Sequence, residues 1–236
     1  MRVISPYLFN AANLADPHTV VYEQATPFDA MPLMIIGSKP IDDGNYILSD
    51  EECNALVKAE PHAGAYLRPY IGSEEFINGG KRWILALHNA TPSDIRAMPN
   101  VRKRIEAVHD FRKASKSAPT KKLADTPTLY HVNVVPKQPF LVVPEVSSEH
   151  REYVPIGYLQ PPVIPSNLVR VIENASLSLF GLITSRMHMA WLRYIGGRLE
   201  SRYRYSIGLV RCGGSSRTVF LSRWKVKQFF EKPFGA

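Results

Sequence analysis

Residues 140–146 read Phe140-Leu141-Val142-Val143-Pro144-Glu145-Val146, an apolar run of strand length rich in β-branched valine. It is one of four strand-like segments, at 129–135, 140–146, 153–159 and 168–173, separated by Pro and Ser turns. Strands that follow one another without regular helical crossovers do not build a doubly wound sheet. The pattern therefore predicts an α+β fold: mixed, mostly antiparallel sheets with several flanking helices and no Rossmann-type sheet. The chain has 19 prolines, many in or beside β-rich stretches, so its elements should be short and joined by turns.

On the C-terminal side, a helix is predicted over about 176–195 through Leu179, Ile183, Met187 and Trp191, stopped in left-handed geometry by Gly196-Gly197. After it, Arg198 to Ser206 alternates like a strand. On the N-terminal side, Val101, Ile105, Val108 and Phe111 have helical spacing within 99–115, which leaves Arg102, Lys103, Arg112 and Lys113 off the apolar stripe. Phe76-Ile77-Asn78-Gly79-Gly80-Lys81-Arg82-Trp83 reads as a hairpin, because Asn-Gly supplies two positive-φ residues, with Trp83 to His88 as the return strand. Ser49 or Asp50 should cap an acidic helix over 51–59, Asp42-Asp43-Gly44 is a turn, and 20–36 is β-leaning. No internal repeat or low-complexity tract interrupts the 236 residues, a length for one large domain or two small ones.

The formal charge is +8, from 29 basic and 21 acidic side chains, but its placement says more than its sum. Residues 1–60 hold three basic against nine acidic residues, a balance of −6, so the remainder carries +14. That remainder suits an anionic partner. Two cysteines, Cys53 and Cys212, make neither a disulfide framework nor a four-ligand zinc site, which fits a reducing compartment. No signal-peptide pattern and no membrane-span run occurs, so a cytoplasmic, membrane-free protein is expected.

Sequence signatures of catalysis are missing. There is no G-x-x-x-x-G-K-S/T, no G-x-G-x-x-G and no H-E-x-x-H, and the seven histidines are scattered. His188-Met189 sits in a helix candidate, where Met at helical spacing reads as packing rather than a ligand. No Asp or Glu is followed two residues later by Lys, which removes the usual carboxylate–lysine pair of metal-dependent nucleases. Gln160-Pro161-Pro162-Val163 lacks both the amide or carboxylate and the aromatic of an amino-methyltransferase tetrapeptide. We assign no catalytic residue and no metal site, and read the chain as a binding part.

Two stretches offer binding chemistry. Val101–Lys122 carries Arg102, Lys103, Arg104, Arg112, Lys113, Lys116, Lys121 and Lys122 against Glu106 and Asp110, a balance of +6 that suits a phosphate backbone or a solvated helix face. In Arg198-Leu199-Glu200-Ser201-Arg202-Tyr203-Arg204-Tyr205-Ser206, a period of two puts Arg198, Glu200, Arg202 and Arg204 on one face and Leu199, Ser201, Tyr203 and Tyr205 on the other. Arg can donate two bonds to guanine O6 and N7, and Glu can accept from cytosine N4, so neighbouring Glu and Arg match both halves of a C·G pair. The alternative is a surface strand whose Glu200 only neutralises its arginines.

At this point the chain resembles the target-recognition region of type IIL, MmeI-like, single-chain restriction–modification enzymes. The resembling stretches are Ile4-Ser5-Pro6-Tyr7-Leu8, Ile36-Gly37-Ser38-Lys39-Pro40, Phe76-Ile77-Asn78-Gly79, and Phe111-Arg112-Lys113-Ala114-Ser115-Lys116 with Ala118-Pro119-Thr120. Further stretches are Val146-Ser147-Ser148-Glu149, Tyr153-Val154-Pro155-Ile156-Gly157-Tyr158, Ser185-Arg186-Met187-His188-Met189-Ala190-Trp191 and Gly197 to Ser206. In that family one polypeptide joins a nuclease, an adenine-N6 methyltransferase and this region, which selects the DNA sequence for both. The resemblance implies base reading by Glu200 and Arg202, with Arg204 nearby and a contributor near Leu168. Relatives can carry Lys and Asp where this chain has Glu and Arg, an exchange of donor and acceptor that suits the reversed base pair.

The expected recognition domain is 1–210, with 1–60 its acidic opening and 61–210 the basic, DNA-facing part. After Val210 the family pattern is lost: Arg211-Cys212-Gly213-Gly214-Ser215-Ser216 opens an atypical basic tail, 211–236, and looks like a truncation or altered reading frame. Expected phosphate contacts are Lys116, Lys121, Lys122, Arg186, Arg193 and Arg198. Ser147, Ser148 and Arg151 hold either a phosphate or a structural turn. The expected function is double-stranded DNA recognition by a non-catalytic fragment without a cofactor of its own. The parent family's S-adenosylmethionine and Mg²⁺ would serve methyltransferase and nuclease domains in cis or trans. The alternative is a protein-interaction module or decayed gene remnant whose basic face meets an acidic partner; a metal-independent enzyme is a third, without a nucleophile constellation.

Overall fold

The computed structural model describes residues 32–207. In chain order its elements are β1 (Met34–Ile36), β2 (Ile47–Leu48), α1 (Asp50–Ala59), β3 (Leu67–Ile71), α2 (Ser73–Asn78), β4 (Trp83–Leu85), α3 (Pro92–Arg96), α4 (Pro99–Ala114) and α5 (Ala118–Lys122). There follow β5 (Phe140–Pro144), β6 (Val146–Ser147), β7 (Gly157–Leu159), β8 (Ile164–Pro165), β9 (Val169–Glu173), α6 (Leu177–Ile183), α7 (Arg186–Ile195), β10 (Gly197–Leu199) and β11 (Arg202–Arg204). The strands form three sheets, β1-β9-β5-β7, β10-β11-β6 and β2-β4-β3-β8. Among the named strands, β3 with β8 is the parallel pair and the others are antiparallel. The α+β class with mostly antiparallel sheets is what the sequence predicts. Most of segment 20–36, part of the acidic opening and the tail 211–236 lie outside the described residues.

The run that opened the sequence reading is buried on both faces. Leu141 and Val143 of β5 pack towards α6 and α7 with Ile172, Leu179, Ile183 and Leu192, while Phe140 and Val142 face the other way with Val169 and Val171. That double burial is why the strand is apolar throughout rather than alternating. A separate core forms on the β2-β4-β3-β8 sheet, where α4 contributes Val101, Ile105 and Val108 at the predicted spacing. Each such fully buried aliphatic side chain contributes roughly 1.5–3 kcal/mol. Ser49 caps α1: its Oγ accepts from the Glu52 N–H at 3.2 Å, and the Glu52 carboxylate accepts from the Ser49 N–H at 2.9 Å. The N-terminus of α4 is capped from a distance, by the Glu60 carboxylate on the N–H groups of Asn100 and Val101.

Several expectations fail, each for a local reason. Asn78-Gly79 is not a hairpin turn; it ends α2, with Gly79 alone left-handed at φ 78°. The acidic first turn decides this, because the Glu75 carboxylate accepts from the Gly72 N–H at 2.7 Å and starts a helix where a strand was expected. Trp83 then pairs with Pro69 and Leu48, across β3 and β2. Segment 129–135 forms no ladder beyond a bridge between Lys39 and Val132, since Ser38 Oγ takes up the backbone of Val134 instead. The 176–195 helix is broken: Thr184 Oγ1 donates to the Phe180 carbonyl at 2.7 Å and Ser185 Oγ caps α7 by accepting from the His188 N–H at 3.1 Å. After the break, among the described side chains, His188, Met189 and Leu192 are buried, whereas Met187 and Trp191 are only half-buried. Gly196 is extended rather than left-handed, at φ −64° and ψ 141°; glycine is required because a Cβ would lie 2.4 Å from the Leu192 carbonyl oxygen.

Two corrections bear on binding. Arg112 is off the exposed face altogether: it is 0% exposed. Its guanidinium donates to the carbonyls of Pro40, Ile41, Leu123, Thr126 and Leu129 at 2.7–3.2 Å. The Arg198–Ser206 segment is not one strand but a tight hairpin of β10 and β11, reversed at Glu200-Ser201 with Glu200 at φ 58°.

Candidate nucleic-acid interface

The hairpin is fixed from inside. Tyr203 and Tyr205 are buried, and the Tyr205 hydroxyl shares a hydrogen bond of 2.6 Å with Nε2 of His188 on α7. Burial pushes the His188 imidazole down to about 4 and the Tyr205 phenol far up, so both are neutral. With Tyr203 turned in, Arg202 and Arg204 point out, as the period of two requires. Arg198 lies across from Tyr203, not beside Arg202: its guanidinium stacks 4.2 Å from the Tyr203 ring and donates to the Ser201 carbonyl at 3.0 Å. It therefore braces the turn. Glu200, at the tip, pairs with Arg202 at 2.8 Å, so the reversal brings together the two side chains that the strand reading placed side by side.

The other groups converge on one carboxylate. Glu145, between β5 and β6, accepts from Arg204 at 3.0 Å and from Arg170 of β9 at 2.8 Å. Its backbone N–H donates to the Leu168 carbonyl at 3.1 Å, and its carbonyl accepts from the Tyr205 N–H at 2.7 Å. Leu168 is 50% exposed in the turn before β9, held also by Ser73 Oγ, which donates to its carbonyl at 2.6 Å. Glu145 thus ties Arg204 to Leu168, while Glu200 and Arg202 pair with each other at the hairpin tip. Glu145 and Arg170 were missed in the sequence; Glu145 is a lone charge in the apolar run 140–146 and Arg170 stands between Val169 and Val171, and those were the available signals.

The expected phosphate groups divide. Ser147, Ser148 and Arg151 flank the hairpin, because β6 pairs with β11 and Ser201 Oγ donates to Glu149 at 2.6 Å. That hydroxyl holds the Glu149 carboxyl below its ordinary range. Ser147 is buried, and its hydroxyl has no hydrogen-bond partner among the described residues. Ser148 Oγ accepts from the His150 N–H at 3.2 Å within a turn, and Arg151 is exposed. Arg186 is exposed at the start of α7, while Arg193 donates to the Glu152 carbonyl at 2.9 Å. Lys116, Lys121 and Lys122 are exposed around α5.

An open pocket of about 270 Å³ is lined among others by Lys39, Ile41, Tyr70, Arg82, Phe111 and Leu168. Phe111 of α4 and Leu168 thus line the same pocket. Ile41 has φ 52°, which a β-branched residue rarely adopts, and Arg112 holds its carbonyl at 2.9 Å. Among the described residues no group of three or more His, Cys, Asp and Glu side chains stands close enough to hold a metal ion. No helix among them is long and apolar enough to cross a membrane.

Comparison with known proteins identifies the family of this fold. The family described as MmeI, target recognition domain, matches residues 15–211. DNA methyltransferase A of Bacillus subtilis (strain 168) is 37% identical over 206 residues, which is 87% of this chain and 23% of that protein. A solved structure of the Type IIL restriction-modification enzyme MmeI in complex with DNA superposes with a TM-score of 0.80 at 42% identity, over 88% of this chain and 27% of the enzyme. The chain therefore spans about a quarter of the length of these relatives.

Proposed function

The chain belongs to the MmeI target-recognition-domain family, and from that premise we propose that it recognises a specific double-stranded DNA sequence. The reading is done by Glu200 and Arg202 at the hairpin tip, with Arg204 and Leu168 beside them. The observation that carries the reading is the 2.8 Å Glu200–Arg202 pair, held outward by two buried tyrosines. An acceptor and a forked donor at that spacing match the cytosine N4 and guanine O6/N7 edges of one C·G pair. MmeI, the structural relative, is in complex with DNA, which supports the same partner here.

In this proposal Lys116, Lys121, Lys122, Ser148, Arg151 and Arg186 contact phosphates and set register without reading sequence. Arg193 and Arg198 contribute charge from the positions where they brace the turn and the hairpin. Ser147 acts from within the β6–β11 pairing. Recognition belongs to 1–210, with 61–210 facing DNA. The described residues include neither a metal-holding cluster nor an Asn/Asp-Pro-Pro-aromatic tetrapeptide, so we route no step through S-adenosylmethionine or Mg²⁺. We assign those groups to methyltransferase and nuclease domains acting in cis or trans, in the cytoplasm.

The test is the exchange Glu200→Lys with Arg202→Asp, read by selection from a randomised duplex library. Preference should pass from C·G to G·C at one position, with discrimination of roughly tenfold or more. Unchanged preference sinks the assignment, and no salt-linked duplex binding by the wild-type chain favours a protein-interaction module instead.

A further inference from the structure

Two arginines among the described residues are buried, and they are served very differently. Arg112 spreads its guanidinium over five carbonyl oxygens, as a cation buried for folding should. Arg170, with its side chain 10% exposed, makes one ion pair, to Glu145, while its Nε and Nη1 are buried without a hydrogen-bond partner among the described residues. Idle buried donors are costly, so the folding of β9 alone does not account for an arginine at this position.

Its partner explains it. Glu145 Oε1 is shared between Arg170 and Arg204, at 2.8 and 3.0 Å. Arg204 is 54% exposed on the outer face of β11 and can turn away. Arg170 cannot follow, because its backbone is held within β9 between Ile36 of β1 on one side and Val143 of β5 on the other. If Arg204 left a carboxylate only 17% exposed, with no other cation beside it, a buried charge would stand uncompensated.

We infer that Arg170 is a positioning residue of the reading surface: it holds Glu145 in place and neutralised, so that Arg204 can exchange that carboxylate for a base edge. The inference rests on the DNA reading proposed above. The class of edge is one that presents two acceptors to a guanidinium, as guanine does with O6 and N7. Glu145 is then also an internal competitor. A sequence without those acceptors does not draw Arg204 away, and discrimination gains from the contacts that wrong sequences fail to displace.

The experiment is a cycle of Arg170→Met, Arg204→Ala and both together in the full chain, read by thermal unfolding and by duplex selection. Arg204→Ala alone should lower the Tm by about 2 °C or less, and by about 4 °C or more in the Arg170→Met background, where nothing else neutralises Glu145. Equal shifts in the two backgrounds overturn the inference, whatever the chain does with DNA. In the selection, Arg170→Met should lose roughly tenfold of the preference at the position that Arg204→Ala affects, with binding to unrelated duplexes and its salt dependence unchanged, and Arg170→Lys should recover part of it. A uniform loss on all duplexes makes Arg170 merely structural and overturns the positioning role. If the wild-type chain selects no duplex while the unfolding coupling is intact, the DNA reading fails and the charge-sharing by Arg170 is upheld. Should Arg170→Met not fold, Arg170→Gln takes its place in the same cycle.

Discussion

Nε2 of His188 and the hydroxyl of Tyr205 lie 2.6 Å apart with both side chains buried, so the helix α7 and the end of the β10–β11 hairpin are joined through a polar contact in a dry place. Removing either partner leaves the other's polar atom unsatisfied inside the core.

The pH dependence follows from that burial. In the folded chain the imidazole takes a proton only near pH 4, whereas in the unfolded chain it does so near its ordinary 6.5. Between these values the unfolded state binds more protons, so stability should rise as pH rises from about 4 to about 6.5, by about 3 kcal/mol in total. Urea unfolding across that window should show the slope in the wild-type chain and lose most of it in His188→Gln. Parallel curves for the two would dissociate His188 from acid sensitivity.

Gly79→Ala separates a helix stop from a hairpin turn. At φ 78° a Cβ strains the backbone, and the substitution should cost about 1 kcal/mol. Asn78 is helical, so Asn78→Ala should stay within about 0.5 kcal/mol. Comparable losses at both positions, measured by chemical denaturation, would contradict the helical end of α2.

Arg112→Met removes five hydrogen bonds to carbonyls inside the fold. A loss of about 3–5 kcal/mol is expected in urea unfolding, since the orphaned carbonyls remain buried. Arg112→Lys should recover little of it, because three ammonium donors on a flexible stem do not reproduce the planar fork.

Charge removal at Lys116, Lys121 and Lys122 addresses the phosphate assignment. Changing all three to Gln should lower the slope of log binding constant against log salt by up to about 3, with sequence preference unchanged. A shifted preference would place these residues at base edges instead.

Periodicity served best where an element buries one stripe against one surface. Val101, Ile105 and Val108 marked α4 correctly, and Ser49 with Glu52 marked the start of α1, because both signals lie within a few residues of chain. It served least where a local signal competed with a tertiary partner. Arg112 reads as a surface cation in any window of sequence, and it is buried because carbonyls from 40–41 and 123–129 come to meet it. Ser185 reads as one more residue of a long helix, yet its hydroxyl is better used capping α7. The alternation expected from Arg198 to Ser206 holds on β11, whereas β10 is exposed throughout, Leu199 included, and two residues at the tip fold the segment back on itself.

The sequence alone determined the α+β class, the absence of familiar catalytic signatures and the complementary chemistry of Glu200 and Arg202, since composition, spacing and side-chain chemistry are properties of neighbours along the chain. Only the tertiary structure decided that Arg204 and Leu168 meet at Glu145, that Arg170 stands behind that carboxylate, and that Arg112 is spent inside. Those relationships join residues from 11 to 72 positions apart, and groups so distant in sequence find one another only after the apolar strands have packed and closed the intervening loops.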